Sequence, residues 1–557
     1  MTFTPHIDAI GGSVVLTALV GIIPLLAFFV LLGAFKIKTH WCAIISLTLS
    51  LLIAVFGFSM PTVMAFSAAT QGLALGFVPI IYIIIAAVWL YSLTEASGRS
   101  DDLRAIFNSV GKGDVRAQAL IIAFSFCGLL EGLAGFGAPV AIVAAMLVTI
   151  GLKPIKAAVL TVVGNAINVG FGAMAIPVTT AGKLGGQPPT YVATLMGHLT
   201  PFLAIFIPLI LLLLLDGTRA VKQLWPLAIV IGIATSAGHY FTSMGSYELT
   251  AVVASLLGLA SSYIFLLVWT PKTPDEYRSV AEKENALTRE RTILALAPYV
   301  LVVVIIAFTK LWKVGIDVDK ILKATDIKIP WPGVYGYLVD ASGKPTNAAI
   351  YNFQTLSNPG TWIMVSAVIV AALYAWRGKG TKFELPFGKG MAQLLHTIYD
   401  LRLSILTIAM VMALAYVMNF SGQTTSIGAA LALTGSAFGF LSPILGWLGT
   451  AVAGSATSAG ALFANLQATA ANAAHLPPGV LLAANTIGGG LGKIVSPQNL
   501  TVVAGAINKP GSEPEVLRKV APISLGLLLA LCTLVFIASQ GWLGVYLPDP
   551  ASFAPVK

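Results

Sequence analysis

Residues 164–178 read GNAINVGFGAMAIPV, and residues 484–498 read ANTIGGGLGKIVSPQ. Both carry Asn-x4-Gly-x-Gly-x4-Pro: Asn165, Gly170, Gly172 and Pro177 in the first, Asn485, Gly490, Gly492 and Pro497 in the second, at a constant offset of 320 residues. Glycines followed by a proline inside an apolar helix break the i→i−4 ladder and leave backbone N–H and C=O groups unpaired. Such backbone is tolerated at membrane depth only where protein buries it or a cavity hydrates it. The freed half-helix N-termini carry partial positive charge, which suits a carboxylate. Asn supplies hydrogen bonds without the cost of a buried charge. The pattern therefore predicts two broken helices of an inverted repeat cradling an anion. Tight helix packing through small residues is the alternative reading.

The surroundings of these runs are membrane-like. The 557-residue chain is 57% hydrophobic and 10% charged, with mean hydropathy +0.89; soluble domains carry about 25% charged residues. Apolar runs such as Val14 to Leu32 and Tyr191 to Leu215 reach the roughly 20 residues a crossing helix needs. A net charge of +10 first suggests nucleic acid. The basic residues, however, sit in short loops with no basic stripe and no interleaved aromatics, so they read as topology signals facing lipid headgroups. Cys42, Cys127 and Cys532 lie in apolar runs without metal or redox spacing, and no metal or cofactor is expected. The first apolar segment lacks a signal peptide's basic flank and cleavage site and is expected to stay in the protein. No P-loop suggests ATP coupling.

The expected fold is an all-α polytopic membrane protein. Twelve crossings are read near 12–35, 41–58, 77–94, 156–178, 191–215, 224–240, 248–269, 293–312, 361–376, 403–420, 478–503 and 520–540. Two further stretches, 117–150 and 437–475, read as re-entrant hairpins interrupted by glycine and small polar residues. The first repeat half is 62–215, with hairpin 117–150 and broken helix 156–178. The second is 361–540, with hairpin 437–475 and broken helix 478–503. Lys and Arg concentrate in alternate short loops, among them Lys38, Arg99, Arg116, Lys153, Arg219, Lys272, Arg377, Arg402 and Arg518. By the positive-inside rule that side is cytoplasmic, both termini lie outside, and 314–360 is an extracytoplasmic loop. The sequence leaves a homo-oligomer open.

The chain resembles the L-lactate permease family. The resemblance runs over most of its length and is sharpest in EGLAGFGAPVAI (131–142), GSATSAGALF (454–463) and GKIVSPQ (492–498). It implies proton-coupled uptake of L-lactate, D-lactate and often glycolate across a bacterial inner membrane. Where the family usually has polar residues, this chain has Ala456 and Gly460, a departure expected to bear on affinity or coupling. Two rivals remain: a sodium-coupled dicarboxylate carrier of the same architecture, and a membrane-embedded enzyme, for which no catalytic constellation is found.

Candidate site residues follow. Glu131, an acid inside an apolar stretch at the first hairpin tip, is read as the proton carrier, because intramembrane carboxylates are costly and commonly functional; a structural hydrogen bond is its alternative. Lys493, inside the second broken helix, is read as a contact for the substrate carboxylate, or as a partner of Glu131. Ser455, Thr457 and Ser458 offer hydroxyls at the second tip that suit a 2-hydroxy acid, or bond back to their own helix. Ser496 and Gln498 flank Pro497, and Gly137 lies in the first tip. With Asn165 and Asn485 they complete the predicted substrate set. His198 and Asp400 are weaker proton-coupling candidates, as are His239 and His396; Asp400 is expected to pair with Arg402.

Overall fold

Proline sets where the helices begin. Pro154, Pro189, Pro359, Pro478 and Pro497 each stand in the first turn of a helix, where the missing N–H is no loss and the fixed φ is already helical. The computed structural model describes residues 2–553 apart from 36, 109–110, 134, 136, 279–287, 310–317, 340–343 and 510. Among these residues the architecture is helical throughout, with a single two-stranded sheet. Eleven helices are long and apolar enough to cross a membrane.

The helices depart from the expected crossings in several places, among them Phe387–Ser421, which begins well before the expected start at 403. The third segment runs over Thr62–Ala96 rather than starting near 77. At about 1.5 Å per residue its 35 residues exceed a bilayer core, and it is interrupted at Gly76–Ile81, where Val78 is extended. Small residues and Gln71 hid its first half from a hydropathy reading. The segments read as 191–215 and 224–240 lie within one apolar stretch, Pro189–Gly245, turned at Asp216–Gly217, whose φ/ψ values are non-helical. The second broken helix divides into Pro478–Lys493 and Pro497–Ala506, so neither piece counts as a span on its own.

In each of the stretches 117–150 and 437–475 two helices flank a glycine-bearing break. The first joins Val115–Leu133 to Ala138–Thr149, with Gly135 and Gly137 at positive φ in the turn. Ala134 and Phe136 lie outside the described residues. The second joins Phe438–Ala453 to Ala456–Ala473 through Gly454, at φ 72. A Cβ on Gly454 would also collide with Gln498, so the turn needs glycine twice over.

Buried and half-buried ion pairs join several of the Lys- and Arg-bearing segments. Arg116 is fully buried, bridging Asp114 at 2.9 Å and Asp216 at 3.0 Å and donating to the Lys272 carbonyl. This ties the start of the first hairpin, the 216–217 turn and the end of helix Thr250–Val268 at one end of the molecule. Asp102 with Arg291, and Arg377 with Glu290, join further basic segments.

Segment 314–360, read as a loop, has structure of its own in its described part. Ile327–Pro330 pairs antiparallel with Ile350–Phe353. The pair docks on Thr62–Ala96 through Trp331 Nε1 to the Ser67 carbonyl (2.9 Å), Gln71 Nε2 to the Ala348 carbonyl (2.9 Å) and the Tyr351 hydroxyl to the Val78 carbonyl (2.8 Å). The last bond satisfies backbone freed by the interruption at Pro79. Tyr351→Phe is expected to cost about 1 kcal/mol, read as a lower melting temperature in detergent with transport intact.

Candidate functional site

The breaks fall at equivalent places in the two repeats. In the first, helix Pro154–Asn165 tightens into a 3-10 turn over Ala166–Phe171, and Ala173, Met174 and Ala175 then take left-handed φ of 43, 59 and 62°. In non-glycine residues such backbone costs about 1–3 kcal/mol each and survives only where its surroundings enforce it; all three are buried. In the second, helix Pro478–Lys493 ends, Ile494 and Val495 turn, and Ser496 caps Pro497–Ala506 by accepting from the Asn499 N–H. Residues 173–175 and 493–495 stand 320 apart, the offset of the sequence motif.

The two broken helices touch at their motif glycines. A Cβ on Gly490 would lie 2.6 Å from the Ala166 carbonyl oxygen, and one on Gly170 would lie 3.3 Å from Thr486 Cγ2. Glu131 sits between the breaks. Its Oε1 accepts from Lys493 Nζ at 2.8 Å, and its Oε2 accepts from Asn165 Nδ2 at 2.9 Å. Both charged residues are buried, 2% and 5% exposed. The pair thus links the first hairpin to the second broken helix. The Asn499 side chain donates to the Lys493 carbonyl at 3.2 Å, satisfying backbone freed by the second break.

A cavity of about 350 Å³ opens beside this pair. Four helix starts border it. Gly137 begins Ala138–Thr149, Pro177 follows the left-handed turn, Ser455 caps Ala456–Ala473, and Gln498 and Asn499 lie in the first turn of Pro497–Ala506. First-turn N–H groups lack intrahelical partners, so the wall is electropositive before any side-chain charge is counted. Lys493 adds a cation, and Ser455, Thr457 and Ser458 add hydroxyls. Towards the basic loops the cavity is bounded by Lys38, Thr39 and His40, and by Ser404 and Thr407 of helix Phe387–Ser421. The arrangement can hold a small anion with hydroxyl groups in a volume typical of ligand sites.

Residues 17–540 match the L-lactate permease family over almost the whole chain. The chain belongs to the L-lactate permease family. It is 36% identical to an L-lactate permease of Bacillus subtilis, over 96% of this chain and 98% of that one. It is 38% identical to a glycolate permease of Escherichia coli K12, over 92% and 94% of the two chains, and 34% identical to an L-lactate permease of the same strain, over 91% and 93%. Membership makes the chain a multi-pass membrane transporter.

Within this L-lactate permease fold the residues singled out from sequence divide into two groups. Glu131, Gly137, Ser455, Thr457, Ser458, Lys493 and Gln498 all border the cavity. Asn165 stands behind Glu131 and orients it. Asn485 lies in the continuous part of its helix, accepting from Gln467 Nε2 at 2.9 Å, and Ser496 is a cap. His198 stacks with Tyr240 and Tyr546 and bonds the Thr194 carbonyl. His239 bonds the Thr235 carbonyl. Asp400 pairs with exposed His396 at 3.3 Å rather than with Arg402, which lies over the Tyr399 ring. None of Asn165, Asn485, Ser496, His198, His239, His396 and Asp400 borders the cavity. Of the two unusual positions, Ala456 borders it and Gly460 does not.

Asn499, Ser404, Thr407, Lys38 and His40 also line the cavity; of these the sequence reading takes up Lys38 alone, as a topology signal. Ser404 and Thr407, one turn apart in an apolar run, share a helix face, and Asn499 directly follows the GKIVSPQ run. Lys38 and His40 looked like loop residues and gave no such signal. Ser455→Ala removes the cap that accepts from the Ser458 N–H, and is expected to cost about 1 kcal/mol and raise the KM for substrate. Binding titrations beside thermal unfolding would separate the two effects.

Proposed function

We propose that the chain is a proton-coupled symporter of L-lactate and related 2-hydroxy monocarboxylates, D-lactate and glycolate included. The observation carrying this reading is the buried Glu131–Lys493 pair facing a cavity bordered by four helix starts. The named relatives transport lactate or glycolate, and the cavity suits a small carboxylate with a neighbouring hydroxyl.

The geometry supports a simple exchange of partners. With Glu131 ionised, Lys493 is already neutralised and attracts an anion weakly. A proton reaching Glu131 Oε1 frees the ammonium, which then pairs with the lactate carboxylate while the tip hydroxyls take the 2-hydroxyl. One anion and one proton cross together without net charge. A lone anion would instead work against the membrane potential, at about 2.3 kcal/mol per charge per 100 mV. On release Glu131 loses its proton and recaptures Lys493.

We take the Lys- and Arg-rich end as the cytoplasmic face of a bacterial inner membrane on the positive-inside rule, with both termini periplasmic. Hairpins 117–150 and 437–475 are then re-entrant, their tips meeting at mid-bilayer, and belong to inverted halves 62–215 and 361–540. The cavity, bounded by Lys38 and His40, faces inward. Counterflow of labelled L-lactate in proteoliposomes tests the substrate, with glycolate, pyruvate and succinate as competitors. Glycolate should compete and succinate should not. Accumulation that persists with a protonophore and needs sodium would sink proton coupling.

A further inference from the structure

Thiols and hydroxyls buried in this protein commonly bond a nearby backbone carbonyl: Cys42 to Ile37, Thr161 to Ala157 and Thr486 to Leu482. Cys127 does not. Its Sγ donates to a side chain, the Oδ1 of Asn165, at 3.4 Å. The same amide donates through Nδ2 to Glu131 Oε2 at 2.9 Å. Cys127 and Glu131 stand one turn apart in helix Cys127–Leu133, so they share a face and hold the two ends of the Asn165 amide between them. Cys127 is fully buried and Asn165 is 1% exposed, so neither end is open to bulk solvent.

An amide is polar at both ends, and its orientation decides which end meets the carboxyl group. Ionised Glu131 only accepts, so it takes the Nδ2 hydrogens; protonated Glu131 has a donor as well, which a rotated Asn165 could accept through Oδ1. The thiol opposes that rotation. Its S–H gives Oδ1 a donor, whereas the rotated amide would set Nδ2 against a sulfur that accepts only weakly. With Nδ2 held on Oε2, an arriving proton is left with Oε1. Lys493 Nζ holds that oxygen at 2.8 Å, and an O–H there meets an N–H, donor against donor. A proton on Oε2 would instead leave Oε1 an acceptor and Lys493 in place. We infer that Cys127 is a positioning residue that, through Asn165, directs the proton to Glu131 Oε1, so that protonation expels Lys493 towards the substrate.

The surroundings of the carboxyl group divide in the same way. Glu131, Gly172 and Lys493 border the cavity, whereas Cys127 and Asn165 do not. The Lys493 side of Glu131 is therefore the side towards the cavity, and the Asn165 side is closed protein. A Cβ on Gly172 would lie 2.9 Å from Glu131 Oε1, so glycine there leaves that oxygen its room. The proton bonds to Oε1 on arrival and departs from it on release, while Asn165 and Cys127 keep their own hydrogens throughout. Cys127 is free of any disulfide.

The inference rests on Glu131 as proton carrier, and the experiment separates the two. Cys127→Ala and Cys127→Val bracket the volume of the thiol and both remove its S–H; Cys127→Ser keeps a donor. An ammonium that stays on Oε1 lowers the fraction of protein ready for substrate, which raises the apparent dissociation constant. In lactate counterflow in proteoliposomes, the alanine and valine variants should each raise the KM about fivefold or more, with the maximal rate within about twofold of wild type. Cys127→Ser should keep the KM within about twofold of wild type. In the infrared, the S–H stretch that Cys127→Ser removes should lie below that of a free thiol. Glu131→Gln runs alongside. If it keeps accumulation driven by a pH gradient, the carrier reading fails. If it loses accumulation while the alanine and valine variants match the wild-type KM, the Cys127 inference fails alone. A serine variant as impaired as the other two, a tolerated valine beside an impaired alanine, a fall in maximal rate without a rise in KM, or a free-thiol frequency would each overturn it as well. Should either the alanine or the valine variant misfold, the other decides against serine.

Discussion

Lys493→Met is expected to abolish lactate counterflow, lowering it at least a hundredfold, whereas Glu131→Gln keeps counterflow and abolishes accumulation against a pH gradient. The asymmetry follows from what each variant leaves behind. Without Lys493, the cavity keeps its helix starts and hydroxyls but gains an unpaired carboxylate beside the anion's position. A hydrogen bond to a charged group contributes about 1.5–3 kcal/mol, and each 1.4 kcal/mol is a factor of ten. Glutamine, by contrast, imitates protonated Glu131: it accepts and donates without charge and leaves Lys493 free for substrate. Removing one member of a buried pair also destabilises, by about 3–5 kcal/mol, so stability must be followed too. The double variant Lys493→Met/Glu131→Gln should recover most of the melting temperature lost by Lys493→Met, yet stay inactive in counterflow. Recovery of both would make the pair structural and end its proposed role.

How much of this site was legible in advance depended on which physical signal carried each residue. Glu131 and Lys493 stood out because charge is rare in apolar runs, and they meet at 2.8 Å. The breaks were legible because both copies of the motif place glycines and a proline inside an apolar run, although the backbone breaks differently in each. Asn165 and Asn485 look equivalent in sequence, but only Asn165 reaches the charged pair; Asn485 bonds Gln467, while its own carbonyl stands against Gly446. A motif fixes where the backbone breaks, not which neighbour each flank meets. Lys38 and His40 illustrate the other gap. They reach the cavity because helix Thr39–Leu52 packs against Phe387–Ser421, a contact between distant segments that no local pattern encodes.

Gly490→Val should remove substrate binding although Gly490 itself does not border the cavity. Gly490 packs on the Ala166 carbonyl, so a β-carbon there meets rigid backbone at 2.6 Å, with Val169 next at 3.5 Å. A flexible side chain could swing away, but a carbonyl inside a 3-10 turn cannot move without carrying that turn along. That turn runs into left-handed Ala173–Ala175 and holds Gly172 against Glu131. Valine must therefore part the two broken helices, and their separation displaces Glu131 from Lys493. Overpacking typically costs about 1–3 kcal/mol, small enough for a multi-helix protein to stay folded and reach the membrane. Helical content by circular dichroism should match wild type, while lactate binding falls at least thirtyfold. Gly505→Val, in the Pro497–Ala506 helix where a Cβ meets nothing within 4 Å, should leave binding within about twofold. If both valines are tolerated alike, the contact between the broken helices is not what holds the anion site together.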